Sequence, residues 1–319
     1  MDWFYELTGF SESDGSVKKN LTLDGTTMTS AANNRTMPVG TLATPSLAEL
    51  RTQLDAADLP TGQLRVSEVI GDAGALHADP ANARAFFQVA SQFNLLEMVG
   101  PGVSPESGVT QYEGDKTQGP ACAMACGAAT IYRNWLVPIE GQIGQTGKRQ
   151  LDMLADVGAH LGNDKDRLWT MRNGYALATG DGIADLPDEH DLLRIGLQID
   201  AEVTTVDDGH GHLVTQAFCS ALPVAYTEVD ADKLELLARM ILNSSYDATL
   251  CAARLHHAAG GSPKVFLTLI GGGVFGNKWR WIDHALQRAF ERHRDAPLDV
   301  RIVSYGSSNP DLVPLLRAG

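Results

Sequence analysis

Basic residues are in short supply. Against 39 Asp and Glu the chain sets only 25 Lys and Arg, for a net charge of −14. Sequence-independent binding of DNA or RNA draws most of its affinity from phosphate neutralisation, so neither is an expected partner. A nucleotide-sized ligand is not excluded, since backbone amides hold phosphate without any lysine. Long apolar runs are missing as well. Nothing approaches the roughly 20 residues of a membrane-spanning helix, and no membrane partner is expected. The opening Met1-Asp2-Trp3 has neither a basic nor an apolar leader stretch, which predicts a cytoplasmic protein. Cysteine is rare. Cys122, Cys126, Cys219 and Cys251 lie among apolar residues, and the Cys122/Cys126 pair has no second pair or histidines at zinc spacing. Buried, reduced thiols are expected. What remains is ordinary for a globular chain: 319 residues, 44% apolar and 20% charged, enough for a large core.

No internal repeat punctuates the sequence. Residues 1–60 are polar, rich in Ser, Thr and Asn, and read as an arm laid on the body. A helix is expected at 46–57, where Ser46 and Glu49 have capping-box spacing. Residues 61–319 read as the main domain. Segment 64–70 alternates like a half-buried strand and ends at Gly71-Asp72. Asp79 and Pro80 then open an expected helix carrying Ala85, Phe86, Val89 and Ala90 on one face. Residues 93–98 are expected as a strand, 120–135 and 151–161 as helices, and 168–193 as an irregular insertion. Strands at 193–199 and 213–222 follow, with His210 and His212 flanking Gly211 at a hairpin tip. A long helix at 230–258 and a strand ending near Ile270 precede a helix with Trp281, Ile282, Ala285, Leu286, Ala289 and Phe290 at helical spacing. A last strand is expected at 298–304. Strands alternating with helices predict a three-layer α/β fold, a mixed or mainly parallel sheet flanked by helices.

The most informative stretch is Val265-Phe266-Leu267-Thr268-Leu269-Ile270-Gly271-Gly272-Gly273-Val274-Phe275-Gly276-Asn277. It reads as strand, glycine loop, helix. Glycines at a strand's carboxyl end let backbone N–H groups approach a ligand, and the next helix adds its positive end. That suits a diphosphate, with Phe275 as an apolar surface for a sugar or base. The loop has neither the Lys-Ser/Thr of a P-loop nor the Rossmann glycine spacing. The plainer alternative is a tight turn whose glycines only relieve crowding.

A second glycine loop, Gly100-Pro101-Gly102-Val103, opens a long segment rich in acids: Glu97 before it, then Glu106, Glu113 and Asp115. Long loops without secondary structure tend to be functional or disordered, and Tyr112 with Pro101, Pro105 and Pro120 weighs against disorder. The acids suit three jobs: hydrogen bonds to ribose hydroxyls, proton transfer or water activation at an anomeric carbon, or Mg²⁺ binding. A merely solvated acidic face fits the same spacing. His77 and Tyr226 lie near expected strand ends. They read first as a surface-helix residue and a turn residue, and Tyr305, after the last strand, as a weaker nucleotide contact.

The two loops together resemble the macrodomain superfamily, especially its poly(ADP-ribose) glycohydrolase-like branch. Asn94 before Gly100-Pro101-Gly102-Val103 matches the first loop of that family, and Gly271-Gly272-Gly273-Val274-Phe275-Gly276-Asn277 the second. The resemblance implies a macrodomain-like fold with ADP-ribose, or an ADP-ribosylated protein, held between the loops. It implies Asp72 at the adenine and Asn94, Glu97, Gly100, Gly102, Val103, Tyr112, residues 271–277 and Tyr305 around the ligand. The family's Gln-Glu-Glu triplet is absent; Thr110-Gln111-Tyr112-Glu113-Gly114-Asp115 stands there instead. The chain is also similar to atypical macrodomain-like hydrolases that free arginine side chains, whose acids are spread along this loop. The resulting expectation is an ADP-ribosyl hydrolase, arginine linkage favoured, attacking the anomeric carbon of the distal ribose. Asp115 would be catalytic together with Glu106 or Glu113. No cofactor is required; Mg²⁺ is compatible. A non-catalytic ADP-ribose module and a metal-dependent phosphohydrolase are the competing readings.

Overall fold

A computed structural model describes residues 2–180, 186–206 and 211–318. Its centre is a seven-stranded mixed sheet, whose strands are numbered here along the chain. They are β1 (Thr41–Ala43), β2 (Arg65–Ile70), β3 (Phe86–Ala90), β4 (Gly196–Glu202), β5 (Leu213–Cys219), β6 (Lys264–Leu267) and β7 (Asp299–Ser304). The order across the sheet is β1-β4-β5-β3-β6-β7-β2. β5, β3, β6, β7 and β2 run parallel, and β4 runs antiparallel to both β5 and β1. The five parallel strands therefore end on one edge. In open α/β sheets that edge is where ligands bind.

Both faces of the central strands are covered, as their continuous apolar runs require. Phe86 and Phe87 are adjacent and both buried, and the pleat sends them to opposite faces. On one face, Phe86 and Gln88 meet the long Glu235–Ala258 helix, where Gln88 Nε2 donates to Thr249 Oγ1 at 2.9 Å. On the other, Phe87 packs with Phe266 and with His77 of the Ala73–Ala78 helix. Each buried Phe contributes about 2 kcal/mol relative to exposure. The three-layer α/β fold expected from the sequence is the one observed.

Several local expectations are corrected. Phe86–Ala90 is the central strand, not a helix face: Asp79 and Pro80 cap only the turn Pro80–Asn82, and Arg84 at φ 60° breaks the helical course. A short run buried from Phe86 to Val89 has no period to separate the two states. Residues 93–98 form a buried loop rather than a strand. The insertion at 168–193 contains a hairpin, Trp169–Arg172 with Tyr175–Ala178, turned by Asn173-Gly174 with both residues at positive φ. Asn-Gly is the usual two-residue hairpin signal. His77 is fully buried; its Nδ1 lies 2.7 Å from Ala73 O, and burial holds its pKa down to about 4. The hairpin tip with His210 lies outside the described residues, although β4 and β5 do pair antiparallel across it. The Leu47–Ala56 helix has its capping box, and all four cysteines are free and buried. No helix among the described residues is long and apolar enough to cross a membrane.

The N-terminal arm is woven into the body. Phe4, Leu7, Val17, Leu21, Met28 and Met37 share a buried cluster with Leu96, Met98, Val109, Tyr112 and Ile131. A three-stranded meander at 21–38 builds its outer wall, and β1 is an edge of the main sheet.

Candidate active site

A cleft of about 590 Å³ opens over the carboxyl ends of β3, β5, β6 and β7. Its size lies within the usual range for small-molecule sites. One wall is the glycine loop. Where β6 stops pairing, the buried Tyr246 of the long helix takes over: its hydroxyl donates to Thr268 O at 2.9 Å and accepts from Ile270 N at 3.1 Å. Gly271 then turns at φ 77°, and a Cβ there would lie 2.5 Å from Ala221 Cβ, so only glycine fits. Asn277 closes the loop, its N–H donating to Gly271 O at 2.9 Å and its Nδ2 to Leu222 O at 2.8 Å. Among the described residues, the amides of Gly273, Val274 and Phe275 donate to no protein acceptor. Gly273 lines the cleft, and a Cβ on it would meet nothing within 4 Å. Free amides on a glycine turn before a helix form an anion-binding concavity.

The facing wall is built by residues 91–98, every one of them buried. Gln92 holds this loop shut: its Oε1 accepts from Met98 N at 2.8 Å and its N–H donates to Leu96 O at 2.9 Å. Leu95 sits at φ 64°, secured by Arg133 Nε donating to its carbonyl at 3.2 Å. Asn94 Oδ1 accepts from Leu96 N at 3.2 Å, and Tyr175 Oη donates to Met98 O at 2.7 Å. The loop delivers one carboxyl into the cleft, that of Glu97, 6% exposed. Glu97 N donates to Tyr112 Oη at 2.8 Å, while Glu97 Oε1 has no hydrogen-bond partner. Burial raises its pKa well above the carboxylate range; the nearby Arg133 opposes this and Asp115 adds to it. Gly119 makes the position reachable, since a Cβ there would meet Glu97 Oε2 at 2.5 Å.

Asp115 lines the same cleft just before the Gln118–Ala125 helix, its Oδ1 accepting from Thr117 N at 2.8 Å. The other two acids expected beside it do not join it. Glu106 is exposed and accepts from Gly147 N at 2.8 Å; Glu113 is exposed and accepts from Trp3 N at 3.2 Å. Neither lines the cleft. Asp72 is the N-cap of the Ala73–Ala78 helix, accepting from Ala75 N, and it too is off the cleft wall. Asn94 and Tyr112 are fully buried and act behind the wall through the Glu97 loop. Gly100, Gly102 and Val103 lie outside the lining; Val99 takes the rim instead. Gly271–Phe275 and Asn277 all line the cleft, Gly276 turns behind it at φ 72°, and Tyr305 stands on the rim, 65% exposed.

Sequence reasoning missed part of the wall. Tyr226, read first as a turn residue, lines the cleft with Tyr175 and Phe275, and the three ring centroids are 5.2–5.7 Å apart. Tyr175 arrives on the Asn-Gly hairpin, the signal that would have found it. Thr268, 6% exposed, also lines the cleft, and its Oγ1 is unpartnered, as is Oδ1 of Asn277. Buried polar atoms without partners are rare in folded proteins. With Glu97 Oε1 they make three such atoms on one cleft, a lining suited to a ligand rich in hydroxyls.

A separate acid–base cluster occupies the outer face of the long helix. Asp247 receives Arg51, Arg292 and His293 Nε2, the last at 2.7 Å, and Glu189 receives Arg51, Arg288 and Arg292. Cys251 lies near Asp247 and His293, but with two guanidiniums on the same carboxylate the group is a closed ionic hub, ill suited to a cation.

No protein-family model matches the chain, and no curated protein matches it. Solved structures similar to it include the poly(ADP-ribose) glycohydrolase of Thermomonospora curvata bound to the inhibitor ADP-HPD, at 14% identity over 96% of each chain with a TM-score of 0.47. Another structure of that protein aligns at 14% identity, covering 93% of this chain and 91% of that one, with a TM-score of 0.46. The poly(ADP-ribose) glycohydrolase of Deinococcus radiodurans in complex with ADP-ribose aligns at 12% identity over 87% of this chain and 92% of that one, with a TM-score of 0.44.

Proposed function

We propose that this protein is a macrodomain-like ADP-ribosyl hydrolase acting at the anomeric carbon of the distal ribose. The observation that carries the reading is Glu97: a buried carboxyl with an unpartnered oxygen, facing a cleft whose other wall is a free-amide glycine loop. The amides of 273–275 would take the diphosphate, and Phe275 with Tyr175 and Tyr226 would shape the sugar site. A carboxyl kept protonated by burial is a general acid, so Glu97 would give its proton to the departing group. Asp115 would stabilise the oxocarbenium-like centre or orient the attacking water, whose proton would pass to the Glu97 carboxylate left by the first transfer. The two acids thus divide the chemistry, and Glu106 and Glu113 have no part in it. An arginine linkage is favoured because the Gln-Glu-Glu triplet is absent and the two acids, Glu97 and Asp115, stand on either side of the Gly100-Pro101-Gly102-Val103 loop. No redox cofactor is implied, and Mg²⁺ is compatible with the site but not required.

The test is release of ADP-ribose from arginine-, glutamate- and serine-linked substrates, with and without EDTA. Glu97→Gln and Asp115→Asn should each lose about 10²- to 10⁴-fold in rate while ADP-ribose binding by calorimetry persists. Release of nothing by the parent, with binding intact, would make this a binding module. Cleavage of the diphosphate to AMP that EDTA abolishes, with no ADP-ribose released, would favour the metal-dependent phosphohydrolase.

A further inference from the structure

We propose that Glu12, from the N-terminal arm, is a positioning residue for the acid side of the cleft; this rests on the hydrolase reading above. Segment 100–117 carries Asp115 yet its only helical turns are two short 3₁₀ pieces, Pro105–Ser107 and Thr110–Gly114. The body ties it at Pro101, Pro105 and Glu106, through Asn173, Asn134 and Gly147, and the arm holds its middle. The Glu12 carboxylate accepts from Val109 N at 2.9 Å, Thr110 N at 2.7 Å, Thr110 Oγ1 at 2.6 Å and Trp135 Nε1 at 2.6 Å. Carboxylate hydrogen bonds of this kind are about twice as strong as neutral ones. Gly108, at φ 79°, lets the loop come that close, since a Cβ there would meet Glu12 Oε2 at 2.4 Å. Trp3 adds a second tie, its Nε1 donating to Thr110 O at 3.2 Å.

The arm supports Glu97 as well. Leu96 and Met98, its two neighbours, and Tyr112, which receives its N–H, all sit in the cluster with Phe4, Leu7, Met28 and Met37. The glycine loop rests elsewhere: Ala221, Leu222, Leu267 and Ile270 belong to the main core, and Phe275 packs on it. The glycine wall thus stands on the main core alone, whereas the acid wall stands on both: Phe93 and Leu95 lie in the main core, Leu96 and Met98 in the arm's cluster. Loosening the arm should misplace the acids and leave the phosphate wall intact.

Glu12→Gln keeps the shape but points an NH₂ group at backbone N–H donors, so at least one of these bonds is lost. In the full chain, ADP-ribose affinity and KM should stay within about twofold. kcat should fall at least about tenfold, since displacement of a reacting group by about 1 Å costs roughly 10²-fold. Amide hydrogen exchange should quicken in 100–117 and not in 264–277. If Glu12→Gln does not fold, Trp3→Phe removes the Nε1 bond and part of the ring packing on Phe4, and the same split at a smaller amplitude is expected. An active parent with an equally active variant overturns the proposal, as does a parallel fall of affinity and kcat with exchange rising throughout. A parent that binds ADP-ribose and releases none removes the hydrolase reading, and this proposal with it.

Discussion

The backbone N–H of Glu97 donates to the phenolic oxygen of Tyr112 at 2.8 Å, fifteen residues along and fully buried. This bond ties the wall carrying the proposed proton donor to the loop carrying Asp115. Tyr112→Phe would strand a buried N–H, at about 1–3 kcal/mol. Tm should fall modestly and kcat more than tenfold by the misplacement argument (roughly 10² per Å), with ADP-ribose affinity nearly unchanged. Calorimetry beside a turnover assay checks this; equal losses in both would place Tyr112 against the ligand.

Glu97 also makes stability depend on pH. Burial raises its folded pKa above the unfolded value, so the folded state holds a proton that the unfolded chain releases. Its contribution is fully present below the ordinary carboxylate pKa and is lost as pH rises toward the folded value. Glu97→Gln stays neutral and should gain stability over the parent at neutral and alkaline pH, with the gap closing near pH 4. Urea midpoints at pH 4, 7 and 9 would show a constant gap if the carboxyl were ionised in the folded state.

The glycine loop should show two different failures. Gly271→Ala meets Ala221 and a strained φ of 77°, so it should lower stability and ADP-ribose affinity together. Gly273→Val, whose Cβ would meet nothing within 4 Å, should abolish binding with Tm unchanged, because the backbone can no longer approach phosphate. Thermal shift with and without ADP-ribose separates them.

The ionic hub should carry acid sensitivity. Burial would raise the pKa of Asp247, but the His293 hydrogen bond and the charges of Arg292 and Arg51 prevail and hold it at about 2; Glu189 is likewise held at about 2 by its arginines. Depressed carboxylates contribute stability above their unfolded pKa, lost as pH falls from about 4 through 2. Asp247→Asn should cost about 3 kcal/mol at pH 7 and flatten that acid limb. Urea unfolding at pH 7 and pH 3 measures both.

A chain beginning at Thr61 lacks β1, Phe4, Met28 and Met37, and so exposes the faces of Leu96, Met98 and Tyr112. It should be insoluble or molten. A sharp cooperative transition with ADP-ribose binding intact would show that the arm is dispensable.

Much of this could be read without coordinates. The strand–glycine loop–helix unit at 264–292, the capping box at Ser46, the strand 65–70 and the long helix are local events. Caps, turns and periodicity state them within a dozen residues. The glycine wall of the cleft was legible for that reason. The acid wall was not. Glu97, Glu106, Glu113 and Asp115 are alike in sequence, and nothing local tells a carboxyl bound to Gly147 or Trp3 from one turned into a cleft. That choice is made by contacts tens of residues apart or more: Tyr175 with Met98, Arg133 with Leu95, Glu12 with Val109. The same is true of Phe86–Ala90, whose apolar run suits helix and strand alike until β5 and β6 pair on either side. The sequence alone determined the α/β alternation and the glycine loop at the end of β6. Which acid is buried, what pKa it has, and that the arm stands behind it were decided by tertiary structure, because desolvation and charge proximity depend on the surroundings of a side chain rather than its neighbours in the chain.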